Sequence, residues 1–599
     1  MKPKYFLFFC LSVYVLSTQY STATVRYVSK TGTSTPPYTS WQTASDSIQK
    51  CINICVDGDT VYVANGVYYE SIYIDKTINL WGSSADSTVI NGVGTPNNYI
   101  LYFSENNSTF KNFTLTSPGQ RRTGLANWET NLRADNCRIY DVGYPVTSFN
   151  SSPNIENFII TDFTKYAIFD ECPNDSCKGI FRNNIIISNG GEPAVNFGYA
   201  GTPTFIDNIL IEEGTTLTGI ESALLRGINL KNNFITGYRW NGMLITEIRT
   251  DTAYILNNNL VYNPIDTMFG YGAIAIGTGN RTLLKNNILT NSNRGIYGYQ
   301  SNDSTKPDYN LFWNVEDLVG GNASLGDSNI VADPMFVNDT IPTANGTYDF
   351  HLQKYSPAID KGDPSIQDVD GSRSDIGMFG GPGGEKYTYL DLPPKTPRNF
   401  SYSFDSTNTF LTLKWDMNYE SDFKNYKIYR DTIAGFIPSQ FNLIGETDTS
   451  MILENITEIN SNKIYYRVSA VDSQDNESQP GNEIAVIITG VEPGVEILRD
   501  YILYQNYPNP FNPSTIISYE IKERAYVKLM VYDIKGELIS VMVNKEQNAG
   551  YYEVEFNVNS QMSNVKGSLA SGIYLYRIEV IGEGRIPVYT EMKKMLMIK

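Results

Sequence analysis

Between residues 109 and 315 one short phrase keeps returning: an apolar residue, polar residues ending in asparagine, then an apolar run. It reads LKNNFITG at 230–237, FRNNIIIS at 181, FIDNILIE at 205, ILNNNLVY at 255 and LLKNNILT at 283. Aligned on Asn112, Asn136, Asn157, Asn184, Asn208, Asn233, Asn259, Asn287 and Asn310, the intervals run from 21 to 28 residues. A period in this range, with strand-like alternation and no helical spacing, predicts a solenoid of stacked strand-rich coils. The residue after each aligned asparagine is apolar (Phe113, Cys137, Phe158, Ile185, Ile209, Phe234, Leu260, Ile288, Leu311), which predicts that this position faces the core. The asparagines themselves read as scaffold rather than ligands. A tight turn needs a residue that tolerates left-handed geometry, and a buried turn needs partners for its backbone groups.

A second alternating strand recurs as GLANWE, PVTSFN, AIFDEC, AVNFGY, GIESAL, GMLITE, AIAIGT and GIYGYQ. With the first large or branched apolar residue turned inward, the positions one and three later face outward. That outer stripe contains Trp128, Phe149, Phe169, Glu171, Asn196, Glu221, Thr246, Tyr297 and Tyr299. A slip of one residue would turn all of it inward. Upstream, SWQTASDSIQKCINI carries apolar residues at helical spacing and predicts a short amphipathic helix, followed by alternating strands in VDGDTVYVANGVYYESIYIDKTINLWG. After the Pro-rich stretch LDLPPKTP, short strands with turn signals continue to the C-terminus.

Composition narrows the function classes. The 599 residues exceed one ordinary domain, and 43 tyrosines favour strands. The net charge is −18, with −12 in residues 1–394, −5 in 395–490 and −1 in 491–599. No nucleic-acid partner is expected, since such binding rests on Lys and Arg neutralising phosphates. An anionic polysaccharide would need a bridging cation or a local basic patch. Residues 1–23 read as a secretory signal peptide: two lysines, an apolar run from Tyr5 to Ser17, then small residues to Ala23. No later stretch reaches the ~20 apolar residues of a membrane span, so no transmembrane segment is expected. An exported monomer is the expectation.

Cys172 and Cys177 flank a turn and are placed to pair in an oxidising compartment. Cys51 and Cys55 have the spacing of neighbours on a helix face and read as packing, as does Cys137. His351 is the one histidine, and nothing near it in sequence supplies a triad or a zinc set.

The repeat resembles the right-handed parallel β-helix of secreted pectate-lyase-like proteins, which implies an all-β chain with an internal asparagine ladder and a short helix capping the coil stack. Residues 333–381, ending DIGMFGG, resemble the closing segment of bacterial members, with Met378 and Gly380 replacing the usual Ala and Glu. Trp415 in LTLKWD, then NYKIYRD and YYRVSAVDSQDNESQPGN, resemble strands of a fibronectin type III sandwich. LYQNYPNPFNPSTIISYEI, VKLMVYDIKGELI, NAGYYEVEF, LASGIYLYRIEV and the final KKMLMIK resemble the type A sorting domain of the type IX secretion system. The implied organisation is a β-helix over 24–390, fibronectin type III over 395–489 and the sorting domain over 498–599. The resemblance implies passage to the outer-membrane surface or the medium, with the secretion machinery as partner.

Such β-helices engage polysaccharide or cell-surface glycan along an outer sheet, and three readings stay open: a glycan-engaging protein of open enzymatic status, a lyase or hydrolase acting on an acidic glycan, and a non-enzymatic adhesin. The motif sets of polygalacturonases, pectin methylesterases and pectate lyases are missing, yet catalytic groups drawn from different coils need no local motif. The candidate catalytic residues are Glu171, Glu221 and Arg226. Glu171, Asn196 and Glu221 come from three successive coils, about 5 Å apart per step. Trp128, Phe149, Asn196, Glu247 and Arg249 are the candidate substrate-binding residues, the two aromatics forming a platform one or two coils toward the N-terminus. The competing interpretation is an ordinary solvated polar face. Asp363, Asp368, Asp370 and Asp375 offer hard oxygens for a Ca²⁺ ion. Their spacing departs from the EF-hand and lacks its terminal Glu, and a plain structural turn fits the same residues.

Overall fold

The computed structural model describes residues 23–598 except 174–175, 191, 200, 265–270, 278–281, 300–305, 344–345, 458, 460, 462, 489–500, 559–569 and 583–586. Residues 1–22 of the expected signal peptide lie outside the described residues. The chain divides into two compact units, Met1–Ser403 with Leu411–Ile488, and Phe404–Phe410 with Thr489–Lys599.

The first unit opens as a parallel β-helix of about ten turns. One side is an 11-stranded parallel sheet that starts at Val25–Val28 and ends at Thr282–Lys285, each coil adding one strand. The strands of the other sides pair in parallel from coil to coil in the same way. Inward positions line up in columns: Leu125, Val146, Ile168, Val195, Ile220, Met243, Ile274 and Ile296 pair in sequence, all buried. A second column runs Leu115, Ile139, Ile160, Ile186, Leu210, Ile235, Leu260 and Leu289. Aliphatic side chains stacked on themselves every ~4.8 Å make a dry, close-packed core. At the N-terminal end the single-turn helix Ile48–Ile52 covers that core with Ile48, Cys51 and Ile52. Glu70 holds its start by accepting from the backbone N–H groups of Ile48 and Gln49.

The repeat asparagines turn out to occupy two adjacent positions, not one. Asn112, Asn136, Asn157, Asn183, Asp207, Asn232, Asn257 and Asn286 share one turn position, with φ between 49° and 64°. The next position holds Phe113, Cys137 and Phe158 in the early coils, then Asn184, Asn208, Asn233, Asn258, Asn287 and Asn310. Only these later residues form the internal ladder. Each donates Nδ2 to the Oδ1 of the next, at 2.9–3.1 Å, ending on Asn329. The same Oδ1 also accepts the backbone N–H of the previous asparagine, and Phe158 N–H caps the start on Asn184. The Asn doublets hide this offset, because both positions favour the same residue for different reasons: one for φ, the other for a buried amide.

Phe113, Cys137, Phe158 and Leu260 face the core as expected, but the offset corrects the expected facing of Ile185, Ile209, Phe234, Ile288 and Leu311. Ile185 and Ile209 are only half-buried on the outside, as part of a column running through Phe234, Asn259, Ile288 and Leu311. From Phe234 onward that column is covered by the segment 333–390, whose Phe336, Phe350, Leu352 and Ile376 pack on Phe234, Val261, Ile288 and Leu311. His351 belongs to this segment. It stacks on Phe379 with ring centroids 3.8 Å apart and holds Asp349 and Glu385 at 2.6 and 2.5 Å.

An antiparallel pair of sheets follows, with Trp415, Tyr426, Tyr466, Val468 and Ala470 in its core. The second unit is another antiparallel pair of three and four strands around Phe511, Tyr519, Phe556, Tyr576 and Met597. Its Pro/Asn-rich loop is held by the last strand: Phe511 N–H donates to Leu596 O, and Leu596 N–H to Asn509 Oδ1 at 2.8 Å. Among the described residues no helix is long and apolar enough to cross a membrane.

Candidate functional site

The outer stripe lies on the strands Thr123–Trp128, Tyr144–Phe149, Ile168–Glu171, Val195–Gly198, Thr218–Ala223, Asn241–Ile245, Ile274–Ile276 and Ile288–Gly298. Alternation decides its facing: Ile168, Asp170 and their equivalents point into the core, so Phe169 and Glu171 point out. None of the nine stripe residues is buried, and Trp128 is half exposed.

Pairing sorts the stripe into two columns. Trp128, Phe149, Glu171 and Gly198 are successive partners in one. Tyr73, Tyr102, Ala126, Thr147, Phe169, Asn196, Glu221 and Leu244 are partners in the other. The expectation that Glu171, Asn196 and Glu221 form one straight row is therefore corrected. Coil 195–198 pairs Asn196 with Phe169, which sets Glu171 two residues to the side, opposite Gly198.

Glycine at that place leaves a notch that Glu171 and Asn196 both border. A Cβ at Gly198 would lie 3.4 Å from Glu171 Cγ, 3.6 Å from its Oε1 and 3.8 Å from Asn196 Oδ1. Asn196 Nδ2 in turn donates to Glu221 Oε2 at 3.4 Å. The result is a carboxylate–carboxamide–carboxylate group beside a notch in the sheet. Burial raises the pKa of Glu171, and burial likewise raises that of Glu221, with Glu192 adding and the Asn196 hydrogen bond opposing. Glu192 is itself paired with Lys165 at 2.9 Å.

Aromatic rings flank this group along the coil stack. Toward the N-terminus Tyr73 stacks on Tyr102 at 5.4 Å, Tyr102 meets Trp128 at 5.7 Å, and Trp128 meets Phe149 at 6.1 Å. Tyr166 stacks on Phe169 at 5.2 Å beside them. On the other side Tyr271, Tyr297 and Tyr299 form a cluster with centroids 4.1–5.6 Å apart. Tyr73, Tyr102, Tyr166 and Tyr271 escaped the stripe drawn from the sequence. Extending the alternation one coil back into YILYF would have found Tyr102.

Beneath the outer group, Asp170 projects into the core. It is bonded to Ser148, which accepts from Asn127 Nδ2 at 3.4 Å, while its Oδ1 lacks a partner. Burial pushes its pKa up to about 7, against the Ser148 hydrogen bond and with help from the Glu171 charge. Cys172, next in sequence to Glu171, closes a disulfide with Cys177, whereas Cys51, Cys55 and Cys137 are buried thiols.

The charged residues placed farther along lie beyond the ends of the strands Thr218–Ala223 and Asn241–Ile245. The chain turns at Leu224 and Glu247, both at positive φ, before it arrives at Arg226 and Arg249. Arg226 is held there by Asp251 at 3.5 Å and Thr250 at 3.3 Å. The four aspartates of the closing segment are likewise apart in function. Asp363 takes Ser365 and Lys285, Asp368 takes the N–H of Asp375, Asp370 takes Ser372, and Asp375 takes Asp360 N–H and Tyr389. Among the described residues no group of three or more His, Cys, Asp or Glu side chains is placed to hold a metal ion. The donor set thus fits a network of turns, not a calcium cage.

No known family pattern matches the chain, and no curated protein does. Solved structures are similar to parts of it. Dimeric latent PorU from Porphyromonas gingivalis shares 16% identity over 35% of this chain and 20% of its own, with a TM-score of 0.14. Chitinase ChiA74 from Bacillus thuringiensis shares 16% over 29% and 28%, with a TM-score of 0.17. The α-L-rhamnosidase from Dictyoglumus thermophilum shares 12% over 34% and 29%, with a TM-score of 0.14. The matched parts amount to less than a third of each of these three proteins.

Proposed function

We propose that this chain is a secreted or outer-membrane-surface protein whose pectate-lyase-like β-helix engages polysaccharide along its aromatic outer face. The observation that carries this is the line of rings from Tyr73 to Phe149 leading to the Glu171–Asn196–Glu221 group. Sugar rings stack on aromatic faces while carboxylates and carboxamides bind hydroxyls. The 395–489 sandwich then acts as a fibronectin type III spacer, and 498–599 as the sorting domain that takes the chain through the type IX machinery. Retention experiments in gels containing neutral and acidic polysaccharides test the binding. Trp128→Ala should weaken retention by roughly tenfold, the scale of one lost aromatic platform; equal retention of the variant means that the face is not the site.

The alternative is that the same face cleaves its glycan. Glu171 and Glu221 flank Asn196 with both pKa values raised by burial, and a raised carboxyl is what an acid catalyst needs. Assays for new reducing ends and for unsaturated uronate absorbance separate hydrolase, lyase and adhesin. If cleavage occurs, Glu171→Gln or Glu221→Gln should lower its rate by about 10²-fold or more while leaving retention in place. Binding without cleavage identifies the adhesin.

A further inference from the structure

The turn asparagines have a second role that differs between the two halves of the β-helix. In the later coils they hold the closing segment by its backbone. Asn286 Oδ1 accepts Asp363 N–H at 2.7 Å, and Asn257 Nδ2 donates to Asp375 O at 3.0 Å. Asn232 Nδ2 donates to Met378 O and Gly380 O at 2.7 and 2.8 Å. At two places the segment lies so close to these asparagines that glycine is needed. A Cβ at Gly380 would stand 2.9 Å from Asn257 Nδ2, and one at Gly383 2.8 Å from Asn232 Oδ1. It runs from the Asn286 coil toward the Asn232 coil and leaves the groove at the turn in which Gly384 N–H donates to Gly381 O.

The groove does not end where the segment leaves it. The same column continues through Asp207 and the exposed Asn183, Asn157, Asn136 and half-buried Asn112, in unbroken register. Carboxamides there are already linked in pairs along the column, Asn136 Nδ2 donating to Asn112 Oδ1 at 2.8 Å and Asn183 Nδ2 to Asn157 Oδ1, while Asn157 Nδ2 turns aside to Asp135 Oδ1 at 2.6 Å. Beside them Ile159 and Ile185 continue the outward apolar column half-buried. A polar cavity of about 370 Å³ opens between Asn112, Asn136, Asn157, Ile159 and the shelf at Ser83–Asp86. Arg138 and Asp86 pair at its rim at 2.6 Å.

From this continuity we infer that the open half of the groove, from Asn112 to Asp207, is a binding site for an extended, glycine-containing polypeptide of a partner protein. The partner's backbone meets the turn carboxamides and its apolar side chains lie on Ile159 and Ile185, as the closing segment meets Asn232, Asn257, Phe234 and Ile288. The site is separate from the aromatic face and does not depend on the glycan proposal.

The probe is a fluorescein-labelled synthetic peptide of residues 374–384, SDIGMFGGPGG, titrated into the full chain and followed by anisotropy. The result expected is saturable binding that weakens roughly tenfold in Asn136→Gly/Asn157→Gly. Glycine accepts the positive φ at both places, so the change removes the carboxamides and keeps the turn. Ile159→Lys, on the apolar side, should weaken binding as well. Asn314→Gly, an exposed positive-φ position elsewhere, should leave it unchanged. Absence of binding at the highest soluble peptide concentration overturns the inference. So does binding that survives both groove changes, since the peptide would then have displaced the closing segment or settled elsewhere.

Discussion

Asp170 shows how one residue can be placed against its own chemistry. Its carboxyl lies in the core with one oxygen unpartnered, and its pKa stands near 7 against 3.8 for the free side chain. A carboxyl whose folded pKa is raised contributes a penalty that is absent at low pH. The penalty grows as pH climbs above the unfolded value and is complete above the folded one. Over about three pH units this amounts to something on the order of 4 kcal/mol. Melting curves of the native chain should therefore show declining stability between pH 4 and 7. Asp170→Asn should raise the melting temperature at pH 8 and leave it nearly unchanged at pH 4. A variant equally stabilised at both pH values would mean that packing, not ionisation, is responsible.

At the scale of elements, the asparagine ladder joins the later coils more tightly than strand pairing alone. Asn233 accepts from Asn208 through Oδ1, and donates through Nδ2 to Asn258 and to Phe205 O. Replacement by leucine keeps the volume and leaves buried amide donors with no acceptor. The expected cost is about 2–5 kcal/mol in denaturant unfolding. Asn136→Gly, at an exposed turn position, should cost well under 1 kcal/mol, because glycine takes that backbone conformation freely. The closing segment is tied just as closely. Gly377 has φ +109°, and a Cβ there would sit 2.7 Å from Asn259 Oδ1 and Ile288 Cδ1. Gly377→Ala should loosen residues 363–383 in hydrogen exchange before the coils beneath them exchange.

For the whole molecule, the all-strand architecture requires a circular dichroism spectrum with almost no helical signal. Calcium is the sharper test. The four aspartates of 363–375 are satisfied by N–H, hydroxyl and lysine partners, so millimolar Ca²⁺ against chelator should leave the melting temperature within about 1 °C. A rise of several degrees would show that the ion binds in place of those partners.

The coil repeat, the all-β class and the outward facing of Trp128, Phe149, Glu171, Asn196 and Glu221 were legible in the sequence. Period and alternation are local properties, and a one-residue slip would have buried the whole stripe. The choice between the two members of each Asn doublet was not legible, since φ preference and amide burial select the same residue. Neither was the column in which Glu171 sits, because pairing between coils depends on turn lengths that differ from coil to coil. The sequence also could not show that Ile209, Phe234 and Ile288 face outward, for a buried residue looks the same whether the core or a distant segment covers it. Only the tertiary structure decides that Gly198 leaves a notch bordered by Glu171 and Asn196. It alone brings residues 363–383 back across 77 to 148 positions to cover half of one groove and leave the other half open.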